Sequence, residues 1–128
     1  MFTHVVLGSN DLEASKKFYD AIFIAAGGSA GNIDAKGRIV YSHDGRRLLI
    51  TKPINGKPAS FANGGTIGLA MKSPEMVDAW HAAGVANGGT TAEDPPGVRD
   101  AGGGKKSYIA FLRDPDGNKL TGRCAMPE

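Results

Sequence analysis

The sequence predicts an α+β fold built from two tandem βαβββ modules, and three observations carry that prediction. A pattern of strand, capped helix, loop and hairpin runs over residues 2–51 and recurs over 66–123. Each copy closes on a hairpin whose turn contains Asp-Gly, at Asp44-Gly45 and at Asp116-Gly117. Each module, at about sixty residues, is too small to bury a sheet face alone, so the duplication implies sheets curving toward one another around a central cleft. Module one spans about 1–53, the connector about 54–64 and module two about 65–125, within one domain over 1–128.

Each element has a local reason. Phe2 to Leu7 has the β-branched and apolar content of a buried strand, closed by Gly8-Ser9. Asn10 is placed as a helix cap, with Asp11 in the first turn and Glu13 three residues on. Leu12, Phe18 or Tyr19, Ile22, Phe23 and Ala26 recur at three- and four-residue steps, an amphipathic helix stopped by Gly27-Gly28. Ser29 to Lys36 is a loop with room for a short edge strand. Arg38–Ser42 and Arg47–Thr51 then flank the His43-Asp44-Gly45-Arg46 turn.

Lys52 to Gly65, rich in Pro, Asn and Gly, joins the halves. Thr66 to Met71 is a second buried strand. Ser73 caps the second helix and Pro74 occupies its first turn. Met76, Val77, Trp80 and Ala83 form its apolar face, and Asn87-Gly88-Gly89 ends it. Gly84 inside this helix costs about 1 kcal/mol against Ala, which implies close packing or fraying there. Thr90 to Ala92 is a short strand, followed by a long loop over Glu93–Lys106. Tyr108–Arg113 and Asn118–Arg123 form the final hairpin around Asp114-Pro115-Asp116-Gly117, whose carboxylates read as solvated turn formers.

Composition excludes several classes of function. The 128 residues include nineteen Gly and seven Pro, which fits a chain of many short elements. A net charge of +2 without a basic stripe gives no reason to expect nucleic acid. No apolar run approaches the ~18 residues of a membrane span. The N-terminal residues start a strand and lack the pattern of a signal peptide. The lone Cys124 forms no internal disulfide, and together these features point to a cytoplasmic setting.

Particular residues then carry a resemblance. They are His4 with Asp11-Leu12, Ser15-Lys16-Lys17-Phe18-Tyr19-Asp20, Val77-Asp78-Ala79-Trp80-His81, and Phe111 to Asn118 (FLRDPDGN). In this order and at this spacing the sequence resembles the vicinal-oxygen-chelate superfamily of glyoxalase I, bleomycin-resistance proteins and extradiol dioxygenases. The resemblance implies a glyoxalase/bleomycin-resistance-like fold with a divalent metal in the cleft. It also implies four ligands, His or Gln on the first strand and Glu on the last strand of each module, with the metal acting as a Lewis acid.

Carried over residue by residue, those four positions fall on His4, Leu49, Thr66 and Thr121. One usable ligand of four is too few for a catalytic metal, and the family's proton-transferring Glu residues are missing with it. The expectation is a vestigial site with no cofactor; nickel, zinc, iron or manganese would enter only under an alternative, atypical ligand set. His4, Thr66, Tyr108, Thr121 and Arg123 are the expected ligand-binding cleft, with His4 the best catalytic candidate and Arg123 near the rim as an anion partner. The bland readings are a hydrogen-bonded strand His, Thr residues present for β-propensity and solvated loop charges at Arg99 and Lys105-Lys106.

His43 at a hairpin tip, His81 beside Trp80 and Cys124 have no chemistry assigned to them. Gly102 to Ser107 lacks the upstream Gly and the following helix of a phosphate loop. The resemblance implies a homodimer that pairs modules across a two-fold axis, with a small-molecule ligand and no membrane partner. Two functions follow: a metal-free binding protein of the bleomycin-resistance type, or a glyoxalase-type lyase or isomerase.

Overall fold

The structure, a computed structural model, describes residues 1–127. Module one comprises β1 (His4–Gly8), α1 (Leu12–Ala25), β2 (Asn32–Ile33), β3 (Ile39–His43) and β4 (Arg46–Thr51). Module two comprises β5 (Ile67–Ala70), α2 (Pro74–Ala86), β6 (Thr90–Gly102), β7 (Lys105–Arg113) and β8 (Lys119–Ala125). Each makes a four-stranded mixed sheet, ordered β1-β4-β3-β2 and β5-β8-β7-β6. In both, the first strand lies parallel to the last, and the rest of the sheet is antiparallel. The tandem α+β architecture read from the sequence is the one observed.

Three local expectations change. The cap of α1 is Asp11, whose Oδ1 accepts from the Ala14 N–H at 3.2 Å. Asn10 is otherwise engaged: its Oδ1 accepts from the Ala59 N–H at 2.7 Å, and its Nδ2 donates to Ala59 O and Asp116 Oδ1. The expected loop over 93–106 is mostly strand. β6 continues through it with register shifts between Ala92 and Gly97 and between Asp100 and Gly102. Pro95 and Pro96 are tolerated because β6 is an edge strand with an irregular ladder there, so their missing N–H groups cost no pairing. Gly102, Gly103 and Gly104, all at positive φ, make the hairpin tip.

The third change concerns the second Asp-Gly turn. Asp114 is 4% exposed, not solvated. Its Oδ2 accepts from the Tyr19 hydroxyl at 2.7 Å and from Asn118 Nδ2 at 2.8 Å. Asp116 accepts from the Asn10 backbone N–H at 2.9 Å and from the Ser15 hydroxyl at 3.2 Å. The turn of module two is thus seated on the start of α1, and the burial of Asp114 follows from that contact.

The core lies on the helix side of both sheets. Phe18, Tyr19 and Ile22 of α1 and Val77 and Trp80 of α2 are fully buried in one continuous cluster with Ile39, Ile50, Leu112 and Leu120. The modules meet because α1 packs on α2 at a gap where side chains are absent. A Cβ on Gly89 would lie 2.3 Å from Phe18 Cε1, and one on Gly84 would lie 2.4 Å from Leu112 Cδ1 and 3.2 Å from Phe18 Cε1. Gly84 therefore marks close packing, the first of the two possibilities its presence in a helix raised.

Candidate functional site

Alternate side chains of a strand point to opposite faces, so the helices decide which residues remain for a ligand. In sheet one, Val5, Leu7, Ile39, Tyr41, Leu48 and Ile50 pack into the core. This leaves His4, Val6, Arg47 and Leu49 on the helix-free face. In sheet two, Leu69, Ala110, Leu112, Leu120 and Cys124 pack into the core. Phe111, Thr121 and Arg123 lie on the other side. The helix-free faces are most open at the outer strands β1 and β5, where His4, Thr66, Gly68 and Ala70 are exposed and Val6 is 46% exposed.

The ladders place two equivalent pairs on these faces. His4 stands opposite Arg47, one pleat from Leu49. Gly68 stands opposite Thr121, and Thr66, just ahead of β5, is one pleat away. Whether these positions fit a divalent metal is a question of donors. Nδ1 of His4 lies 2.8 Å from Thr3 Oγ1, leaving one imidazole nitrogen open. Leu49 is 2% exposed and has no lone pair, and Thr66 and Thr121 offer only hydroxyls. A zinc- or nickel-type centre takes imidazole, thiolate or carboxylate donors, usually three or four of them. Among the described residues, no group of three or more His, Cys, Asp or Glu is placed to hold a metal ion. The residues present do not fit the group.

Tyr108 is separate from the other expected cleft residues. It pairs with Cys124 in the β7–β8 ladder, on the helix face, and its hydroxyl donates to Asp78 Oδ1 of α2 at 2.7 Å. That hydrogen bond raises the Tyr108 pKa, and it anchors α2 to β7. The sequence alone placed this hydroxyl in the cleft because the composition of a single strand does not fix which parity faces the helix. The residue that does share the open face is Phe111, directly opposite Thr121. The Lys119 ammonium lies 5.0 Å from the Phe111 ring centroid and is ion-paired with Glu93. Glu93 is therefore neutralised by a neighbour on its own sheet. Stepping by two from Thr121 finds Lys119 in the sequence; Phe111 needs the hairpin register as well.

Arg123 belongs to the same face. Its Nε donates to Ser107 Oγ at 3.0 Å, and Ser107 is 1% exposed. Arg99 instead turns back on its own strand, its Nη2 donating to Pro95 O at 2.6 Å. His81 lies away from the open faces, its Nε2 2.9 Å from Thr91 Oγ1, and burial lowers its pKa against the opposing pull of Asp78. His43 sits at its hairpin tip, 3.3 Å from the Asp44 carboxylate. Cys124 is buried at 8% exposure.

The family model described as the Glyoxalase/Bleomycin resistance protein/Dioxygenase superfamily matches residues 1–121. No curated protein matches the chain. A crystal structure of a glyoxalase/bleomycin resistance protein from Albidiferax ferrireducens T118 is 53% identical, covering 96% of this chain and 98% of its own, with a TM-score of 0.91. Two more distant structures share the fold alone. A glyoxalase-related enzyme from Fulvimarina pelagi is 22% identical, covering 97% of this chain and 87% of its own, at a TM-score of 0.73. A lactoylglutathione lyase from Agrobacterium tumefaciens is 21% identical, covering 97% and 92%, at 0.65.

Proposed function

Because the chain belongs to the glyoxalase/bleomycin resistance protein/dioxygenase superfamily, we propose that it is a small-molecule-binding member with a degenerate metal site and not a working glyoxalase I. The observation that carries this reading is the donor set. His4, Leu49, Thr66 and Thr121 supply one imidazole and no carboxylate, so these positions offer neither a metal cage nor the paired acids that would move a proton between adjacent carbons.

The remaining chemistry of the open faces favours binding. Val6 and Phe111 supply apolar surface, Thr121 a largely buried hydroxyl and Arg123 a cation, the mixture typical of a site that holds a small organic molecule by shape with a few orienting polar groups. A homodimer completes this reading. Module one of one chain set against module two of a second would cover the exposed His4, Val6, Thr66 and Gly68 and enclose the ligand between helix-free faces. No cofactor is needed, and the free thiol of Cys124 suits a reducing, cytoplasmic setting. No helix among the described residues is long and apolar enough to cross a membrane.

A thermal-shift screen of small planar and amphipathic molecules on metal-free protein tests the proposal. Ligands that stabilise wild type, and stabilise Leu49→Arg or Phe111→Ala much less, are the expected result. If no organic molecule stabilises the metal-free protein while nickel or zinc unlocks lyase or isomerase turnover, the alternative glyoxalase-type enzyme with an atypical ligand set takes its place.

A further inference from the structure

Beyond the aromatic and hydroxyl groups around Thr121, the open face of sheet two runs on to a cavity of about 220 Å³ near the tip of the β6–β7 hairpin. Its polar wall is Lys105, Ser107 and Arg123, and its apolar wall is Ala101, Ala125 and Met126. Lys106 also borders it, but its ammonium is paired with Asp100 at 2.8 Å across the hairpin. Lys105 and Arg123 have no ion pair among the described residues. Two positive charges therefore converge on one concavity.

The Arg123 guanidinium is also held in place. Its Nε is spent on the buried Ser107 hydroxyl, while its two terminal nitrogens make no hydrogen bond to a described residue. That leaves a fork of donors in the geometry suited to two oxygens of one anion. Ser107 can hold it because the hydroxyl is fixed in the ladder, opposite both Arg99 and Ala125. The cavity is smaller than the ~300–1,000 Å³ of a drug-sized site, so it suits a small anion or the anionic end of a longer ligand.

We infer that Arg123, positioned by Ser107 and assisted by Lys105, forms an anion pocket that takes the carboxylate or phosphate group of a ligand with a short apolar body. This rests on reading the helix-free faces as the ligand site, and it assigns that site an anionic class of ligand. Arg123 is the binding residue; Ser107 acts through it.

The test is a titration of 15N-labelled protein with butyrate, inorganic phosphate and neutral butyramide, followed by backbone amide shifts. The expected result is saturable shifts at Lys105, Ser107, Arg123 and Ala125 with both anions, weakened by added salt and absent with butyramide. Butyrate binding tighter than phosphate identifies the apolar wall as part of the site. Arg123→Gln should weaken binding about tenfold or more, and Ser107→Ala, which keeps the charge, a few-fold. Equal binding by Arg123→Gln, or by butyramide, overturns the pocket. Anion shifts clustered at Val6 and Leu49, and missing at Arg123, also overturn it while leaving the cleft reading intact. Conversely, binding at Arg123 that persists in Leu49→Arg, with no shift at Val6 for any ligand screened, sustains the pocket and counts against the cleft.

Discussion

At the scale of single residues, the contacts that hold the two modules in register are the most exposed to substitution. Asp114 gathers the Tyr19 hydroxyl, the Asn118 amide and the backbone N–H groups of Asp116 and Asn118. Replacing it with Ala strands all four donors, and Asp114→Ala should cost about 3 kcal/mol in urea unfolding. Gly89→Ala drives a Cβ against both Phe18 and the Arg113 carbonyl, an overpacking cost of about 2 kcal/mol. Phe18→Leu should relieve part of it, so the double mutant is more stable than additivity predicts.

The phenols add a pH dependence. Burial, then the Asp114 carboxylate, pushes the Tyr19 pKa well above its ordinary value; burial and Asp20 do the same for Tyr41. Folding thus favours the neutral phenol of both. Their contribution is fully present below the unfolded tyrosine pKa of about 10 and is lost as pH rises above it. Unfolding midpoints in urea should fall between pH 9 and 11, and less steeply in Tyr41→Phe than in wild type.

At the scale of elements, the helices and most strands were legible because their signals are local. Ser73 and Pro74 open α2 as read, with Ser73 Oγ accepting from the Met76 N–H at 3.1 Å. The cap of α1 moved by one residue because Asn10 is claimed by Ala59 and Asp116, partners far away in sequence. Pro and Gly dominate the 93–106 segment, so its sequence alone predicts a loop; only the neighbour β7 turns it into strand. Hydrogen exchange should show this directly. Ladder amides of Gly97 and Arg99, which face Ile109 and Ser107 of β7, should exchange more slowly than those of Gly103 and Gly104, and equal fast exchange through 97–104 would return the segment to a loop. Tyr108 illustrates the other limit: its strand was evident, its face was not, since that depends on where α2 lies. Tyr108→Phe should therefore lower stability modestly through the lost Asp78 contact and leave ligand binding unchanged.

At the scale of the whole molecule, the duplication was visible in the order of strand, helix and hairpin, and the family model spanning residues 1–121 agrees with that reading. What the sequence could not settle was how the halves meet, because the contact is made of Phe18 against two glycines and of a turn seated on a distant helix start. That packing draws both helices into one core and leaves β1 and β5 as outer strands with exposed residues. The proposed homodimer uses those faces. Val6→Arg should shift the molecular mass measured by light scattering from dimer toward monomer, whereas an unchanged dimer would place the interface elsewhere.

Four positions on these faces, His4, Leu49, Thr66 and Thr121, lack the donors for a catalytic metal. Mass-spectrometric metal content of tag-free protein, before and after dialysis against excess nickel and zinc, tests it most directly. Well under one metal per chain is expected in both cases, with no difference between wild type and His4→Ala. Stoichiometric metal that disappears in His4→Ala would contradict it and establish a metal site built on His4 with ligands other than Leu49, Thr66 and Thr121.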